Sequence, residues 1–148
     1  MVCTFFGHRN VSNGIKPILK NTVKHLIEQE KATTFYIGNQ GNFDFLARSV
    51  LEELKKDYPH ISYNIVLAYF PTKQDNDNYT DYSITIYPDG LEKVPPKFAI
   101  DSRNRWLVEH SDTVITCVMH DFGGAAKFKE LSIAKKKRVI EISNLTNQ

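Results

Sequence analysis

The apolar residues of this chain fall into two patterns. Short, nearly continuous runs read as buried strands: Val2-Cys3-Thr4-Phe5-Phe6, Phe35-Tyr36-Ile37, the stretch from Tyr63 to Phe70, the stretch from Thr113 to Met119, and Val139-Ile140-Glu141-Ile142. Between them stand stripes at helical spacing. Ile15, Ile18, Leu19, Val23, Leu26 and Ile27 predict a helix ending near Lys31, with Ser12 or Asn13 as cap and Pro17 near the first turn. Phe43, Leu46, Ala47, Val50, Leu51 and Leu54 predict a second, stopping before Pro59. A third follows Pro95-Pro96 and runs from about Phe98 to Ser111, and a fourth runs from Gly123-Gly124 to about Lys136. Strands alternating with amphipathic helices predict an α/β fold of three layers, with a central, mainly parallel sheet of about five strands and Cys3 and Cys117 buried on inner strands.

Residues 71–96 interrupt this rhythm. They carry the polar cluster Asp75-Asn76-Asp77-Asn78-Tyr79, a β-like run from Ser83 to Tyr87 and the turn Pro88-Asp89-Gly90. A polar insertion at the carboxyl edge of a sheet suits a lid or binding loop; the alternative is a surface excursion without a role. The chain is otherwise read as one domain, residues 1–148, without repeats or low-complexity segments.

Candidate chemistry gathers where strands empty into helices. Gly7-His8-Arg9-Asn10, Gly38-Asn39-Gln40-Gly41-Asn42 and Gly123-Gly124-Ala125-Ala126-Lys127 each follow an apolar strand. In a parallel sheet such junctions share one edge, where ligands bind at the reversal of strand order. A glycine turn opening a helix presents unpaired N–H groups and the positive end of the helix dipole, which favour a phosphate. A plain tight turn is the structural alternative. Gly7, His8, Arg9, Gly38, Asn39, Gly41, Gly123, Gly124 and Lys127 are therefore candidate ligand-binding residues.

Three charged residues stand out against the pattern. Arg103 lies between Ile100 and Leu107 on the apolar stripe of its helix, so it should point inward, toward a ligand or a buried carboxylate. Glu130, in the second turn of the last helix, is within reach of a ligand there, or else forms an exposed pair with Lys127. Asp44 starts the second helix and suits either its dipole or a sugar hydroxyl. In the first junction His8 and Arg9 suit a phosphate or are solvated turn residues.

Composition narrows the picture. The 19 Lys plus Arg against 17 Asp plus Glu leave a net charge of +2, which argues against nucleic acid and anionic membranes as partners. The basic run Lys135-Lys136-Lys137-Arg138 suits a helix C-terminus better than a nucleic-acid patch. Cys3 and Cys117 lack metal or redox spacing, so no metal site and no cofactor are expected. No export or membrane segment is read in the sequence, which predicts a cytoplasmic protein.

Together these residues resemble the SLOG superfamily, the Rossmann-like group that contains the Lonely Guy phosphoribohydrolases and DNA-processing protein A. Thr4-Phe5-Phe6-Gly7-His8-Arg9 is similar to the opening of its small bacterial members, the stretch from Gly38 to Asp44 to their second glycine-rich turn, and the stretch from Arg103 to Asp112 to the arginine-bearing helix before the fourth strand. In the Lonely Guy enzymes a catalytic glutamate follows a Pro-Gly-Gly turn by six residues, and an upstream arginine completes the pair. Glu130 stands six after Gly124 and Arg103 nine before Asp112, so the resemblance assigns them those roles. The chain departs where Phe122, Ala126 and Lys127 replace the family's proline, glycine and threonine. What the resemblance implies is a pocket for a nucleotide or nucleotide-derived small molecule, used to sense or sequester it. The alternative is an N-glycosidase for a nucleoside 5′-monophosphate, using Glu130 and Arg103 with help from Asp44 or His8. Members commonly dimerise through their helices, so the resemblance allows for a homodimer.

Overall fold

The computed structural model describes residues 1–70 and 84–145. Its element order is β1 (Val2–Gly7), α1 (Lys16–Glu30), β2 (Thr34–Ile37), α2 (Asn42–Asp57), β3 (Ser62–Val66), β4 (Thr85–Ile86), α3 (Ala99–Glu109), β5 (Thr113–Cys117), α4 (Gly124–Ala134) and β6 (Arg138–Glu141), with short 3-10 turns between several of them. The strands form one sheet in the order β4-β3-β2-β1-β5-β6, and every pairing is parallel. The predicted α/β architecture is the observed one.

Side chains alternate across each strand and so divide the core. Cys3, Phe5, Phe35, Ile37, Ile65, Ile115 and Cys117 pack beneath α1 and α2. Phe6, Val66 and Val114 meet Leu107 and Val108 of α3 and Phe128 of α4 on the opposite face. Burial pushes the Cys3 thiol up to about 12 and the Cys117 thiol up to about 11, so both are unreactive core thiols at neutral pH.

Local chemistry sets the boundaries. The Ser12 side chain caps a 3-10 turn, Asn13–Ile15, by accepting from Gly14 N–H, and α1 follows with Pro17 in its first turn. The third strand is shorter than the apolar run predicts, because after Val66 only Leu67 continues, its N–H donating to the Ile86 carbonyl. Most of the expected lid, residues 71–83, lies outside the described residues. Residues 84–96 pack at the end of β3, where the Tyr69 hydroxyl donates to the Pro96 carbonyl.

After β1 the chain builds outward through β2, β3 and β4, then returns to place β5 on the other side of β1. Strand order therefore reverses between β1 and β5, which is where such sheets open a crevice. Among the described residues no helix is long and apolar enough to cross a membrane.

Candidate functional site

A cleft of about 180 Å³ opens at the carboxyl edge of the sheet. Its lining brings together Gly7, His8 and Arg9 after β1, Gly38 and Gln40 after β2, Asp44 of α2, Ile100, Arg103, Asn104 and Leu107 of α3, and Gly124 and Ala125 of α4.

Arg103 occupies the floor. Only 2% of it is exposed, and it is the largest fully buried side chain among the described residues. Its Nε donates to Asn104 Oδ1 at 2.8 Å, and its Nη1 donates to Asn39 Oδ1 at 3.1 Å and to the Val66 carbonyl at 2.9 Å. These oxygens orient the guanidinium within the cleft. A Cβ at Gly38 would lie 2.8 Å from Asp44 Oδ2 and 3.2 Å from Arg103 Nη1, so the missing side chain is what lets carboxylate and guanidinium converge there.

Asp44 Oδ2 accepts from Gln40 N–H at 2.9 Å. Burial pushes the Asp44 carboxyl up to about 6, against the opposing pull of that hydrogen bond and of the Arg103 and Arg9 charges. Among the described residues it is the carboxylate that lines this cleft.

Both helices that start at the cleft have glycine caps in backbone conformations open to almost no other residue: Gly41 at φ 89°, ψ 178° and Gly123 at φ 93°, ψ 175°. Neither cap supplies a side-chain hydrogen bond. Asn42 N–H of α2 donates to the Arg9 carbonyl at 2.9 Å. At α4 the leading residues Gly124 and Ala125 face the cleft itself, and an added Cβ at Gly124 would meet nothing within 4 Å. An anion there would meet the positive end of the α4 dipole with Arg103 beneath it.

His8 forms the inner wall and is buried. Its Nε2 accepts from Met119 N–H at 2.9 Å, which fixes the neutral ring with its proton on Nδ1. Burial, then the neighbouring His120 charge, lower the His8 pKa, against a smaller upward pull from Glu141. The His120 ring stacks on His8 with centroids 3.6 Å apart.

Not every expected residue reaches the cleft. Asn39 and Gly41 line an adjoining depression that shares Gly38 and Asp44 with it. Gly123 caps α4 without lining the cleft. Lys127 is exposed and turns onto Asp101 of α3, its hydrogen bond holding the Asp101 carboxyl below the usual range. Glu130 requires a correction: it is exposed and lines a separate depression with Met119, His120 and Lys129. Six residues at about 100° each carry it about 240° around the helix from Gly124 and ~9 Å along the axis. Nor does it pair with Lys127, whose ion pair is with Asp101. The sequence reading also missed Gln40 and Asn104, which line the cleft, and His120, which stacks on the wall residue His8. Asn104 adjoins Arg103 and was discoverable as its local partner, whereas the contact of His120 with His8 spans most of the chain.

Residues 2–147 match the YspA SLOG family. The chain belongs to that family. Comparison with curated proteins finds no match. Among solved structures, the fold is similar to DNA processing protein A from Streptococcus pneumoniae, at TM-score 0.68 and 18% identity over 93% of this chain and 48% of that one. It is also similar to DNA processing protein A from Helicobacter pylori, at TM-score 0.65 and 14% identity over 97% of this chain and 70% of that one. The chain thus spans about half the length of the Streptococcus protein. The Helicobacter protein is described by its single-stranded DNA binding mode. A net charge of +2 therefore does not exclude nucleic acid, and that expectation is corrected. Total charge measures only the long-range field, whereas a buried arginine beside a helix N-terminus can recognise a phosphate locally.

Proposed function

We propose that the cleft binds one nucleotide unit, with its phosphate between Arg103 and the first N–H groups of α4 and its sugar toward Asp44, the whole chain of residues 1–148 serving as one nucleotide-binding unit. The observation that carries this reading is the buried Arg103 guanidinium on the floor of an open cleft beside a glycine-capped helix start. Family membership supports a nucleotide-related ligand. In the first reading the unit is a free nucleotide or nucleotide-derived signal that the protein senses or sequesters. The second reading, favoured by the DNA processing protein A neighbours, places the unit within single-stranded DNA.

Titration calorimetry with a panel of mononucleotides and short single-stranded oligonucleotides separates the two. Arg103→Lys keeps the charge but loses the planar fork, and should weaken the preferred ligand by about 1.5–3 kcal/mol while thermal melting shows the fold retained. Unchanged affinity would remove Arg103 from the site. N-glycosidic cleavage, the catalytic alternative, rests on Asp44, since Glu130 lies outside the cleft. Chromatographic release of free base that Asp44→Asn abolishes would establish it; binding without base release leaves a binding module.

A further inference from the structure

We propose that the ring stack His8–His120–Phe122 is a built platform for the base of the bound nucleotide, which lies on the outer face of Phe122. The proposal rests on the reading that the cleft takes the nucleotide's phosphate.

The stack leads outward from the cleft wall. His120 covers His8 at 3.6 Å with planes 14° apart, and Phe122 lies on His120 at 3.9 Å with planes 19° apart. A ring has two faces, and His8 occupies one face of His120. Phe122 therefore takes the other, and its own outer face is the next open surface. Phe122 is 68% exposed, a large apolar side chain outside the core.

The segment carrying these rings is pinned at both sides of the sheet. Val118 N–H donates to both carboxylate oxygens of Glu141, at 3.1 and 3.0 Å, and the next N–H, that of Met119, donates to His8. Glu141 is itself gripped by the Thr116 hydroxyl at 2.7 Å and by Lys129 at 2.9 Å. His120 Nδ1 lies 3.1 Å from the Phe122 carbonyl, which ties the His120 ring to the backbone at Phe122. An aromatic face oriented in advance loses little freedom when a ligand arrives.

Position selects the occupant. Phe122 stands two residues before Gly124, no more than ~7 Å of backbone away, a separation that one ligand with a phosphate at the α4 start can span. A flat ring continuing a parallel stack fits a planar π system, and every nucleobase has one. The base could belong to a free nucleotide or to a strand; the chemistry is the same and the test tells them apart.

Titration calorimetry would compare deoxyadenosine 5′-monophosphate, deoxyribose 5-phosphate and a short oligodeoxyadenylate on the wild type, Phe122→Leu and Phe122→Trp. The expected result is that Phe122→Leu weakens base-bearing ligands roughly 5- to 150-fold, leaves deoxyribose 5-phosphate unchanged, and that Phe122→Trp restores binding. A loss on both base-bearing ligands assigns the platform to a free nucleotide, and a loss confined to the oligonucleotide assigns it to a strand. If Phe122→Leu changes neither while Arg103→Lys weakens all three, the platform is overturned and the cleft reading stands. If the wild type binds none of them, both fall. If Phe122→Leu instead dissociates a dimer with affinities unchanged, the exposed ring belongs to an interface between copies, together with exposed Met119 and Ile133, and the platform is overturned.

Discussion

Asp44 is a carboxylate that the fold holds at a cost, and its replacement by asparagine measures that cost. A carboxyl titrating at about 6 rather than the ordinary 3.8 destabilises the folded state by about 3 kcal/mol once the pH is above both values. The sign follows from proton uptake. Between pH ~4 and ~6 the folded protein holds the Asp44 proton that the unfolded chain has released, so this residue's contribution falls as pH rises through that window. Asparagine keeps an oxygen to accept from Gln40 N–H and removes the desolvated charge. Asp44→Asn should therefore be close to wild type at pH 4 and more stable by up to about 3 kcal/mol at pH 7, as measured by urea unfolding across the pH range. The carboxyls of Glu53, Asp101 and Glu141 lie below their ordinary values, so their contributions are lost as pH falls, in the opposite direction. Subtracting the wild-type curve from that of the variant cancels them. A variant less stable than wild type at pH 7, or a difference that does not change between pH 4 and 7, would refute the placement of Asp44 as a partly buried, penalised acid. A carboxylate retained against such a penalty in a cleft is the pattern expected of a functional group.

Gly124→Ala should leave stability within about 1 kcal/mol of wild type, because its Cβ meets nothing, yet weaken nucleotide binding by placing a methyl group in the cleft. Gly123→Ala should cost about 1–3 kcal/mol in urea unfolding through strain at φ 93° alone. Gly7→Ala should be more damaging than either, since the new Cβ would lie 2.3 Å from Phe43 Cγ; wild-type-like melting would contradict the packing of α2 on β1. Glu130→Gln should change stability by less than about 0.5 kcal/mol and leave ligand affinity unaltered. A marked loss of binding in that variant would return Glu130 to the site.

The alternation of runs and stripes makes the layers of this fold legible, because strands buried on both faces must be apolar throughout while helices need only one apolar side. The inward aim of Arg103 is legible for the same reason: a charge at a core position of a helix has nowhere else to point. The misplacement of Glu130 arises from counting residues between motif positions without counting degrees around the helix. Spacing from Gly124 matches a resemblance, but helical phase carries the side chain out of the cleft. The His8–His120 contact had no such local signal. It depends on β1 lying beside β5, a pairing that only the strand order of the folded sheet reveals.

The absence of a side chain at Gly7 has a consequence for how this protein can change over generations. Phe43 fills the space a Gly7 Cβ would take, and the next residue along α2 is Asp44. One ring seats the helix against the first strand, and the adjacent carboxylate is aimed by that seating. A mutation that alters the fit beneath Gly7 thus shifts the acid above it, and a change selected at the acid is felt in the packing below. Drift in the interior and adaptation at the cleft are mechanically the same event here. New ligand preferences should accordingly arise more readily on the α3 and α4 side, where Asn104, Phe122 and Gly124 can be exchanged without disturbing that joint.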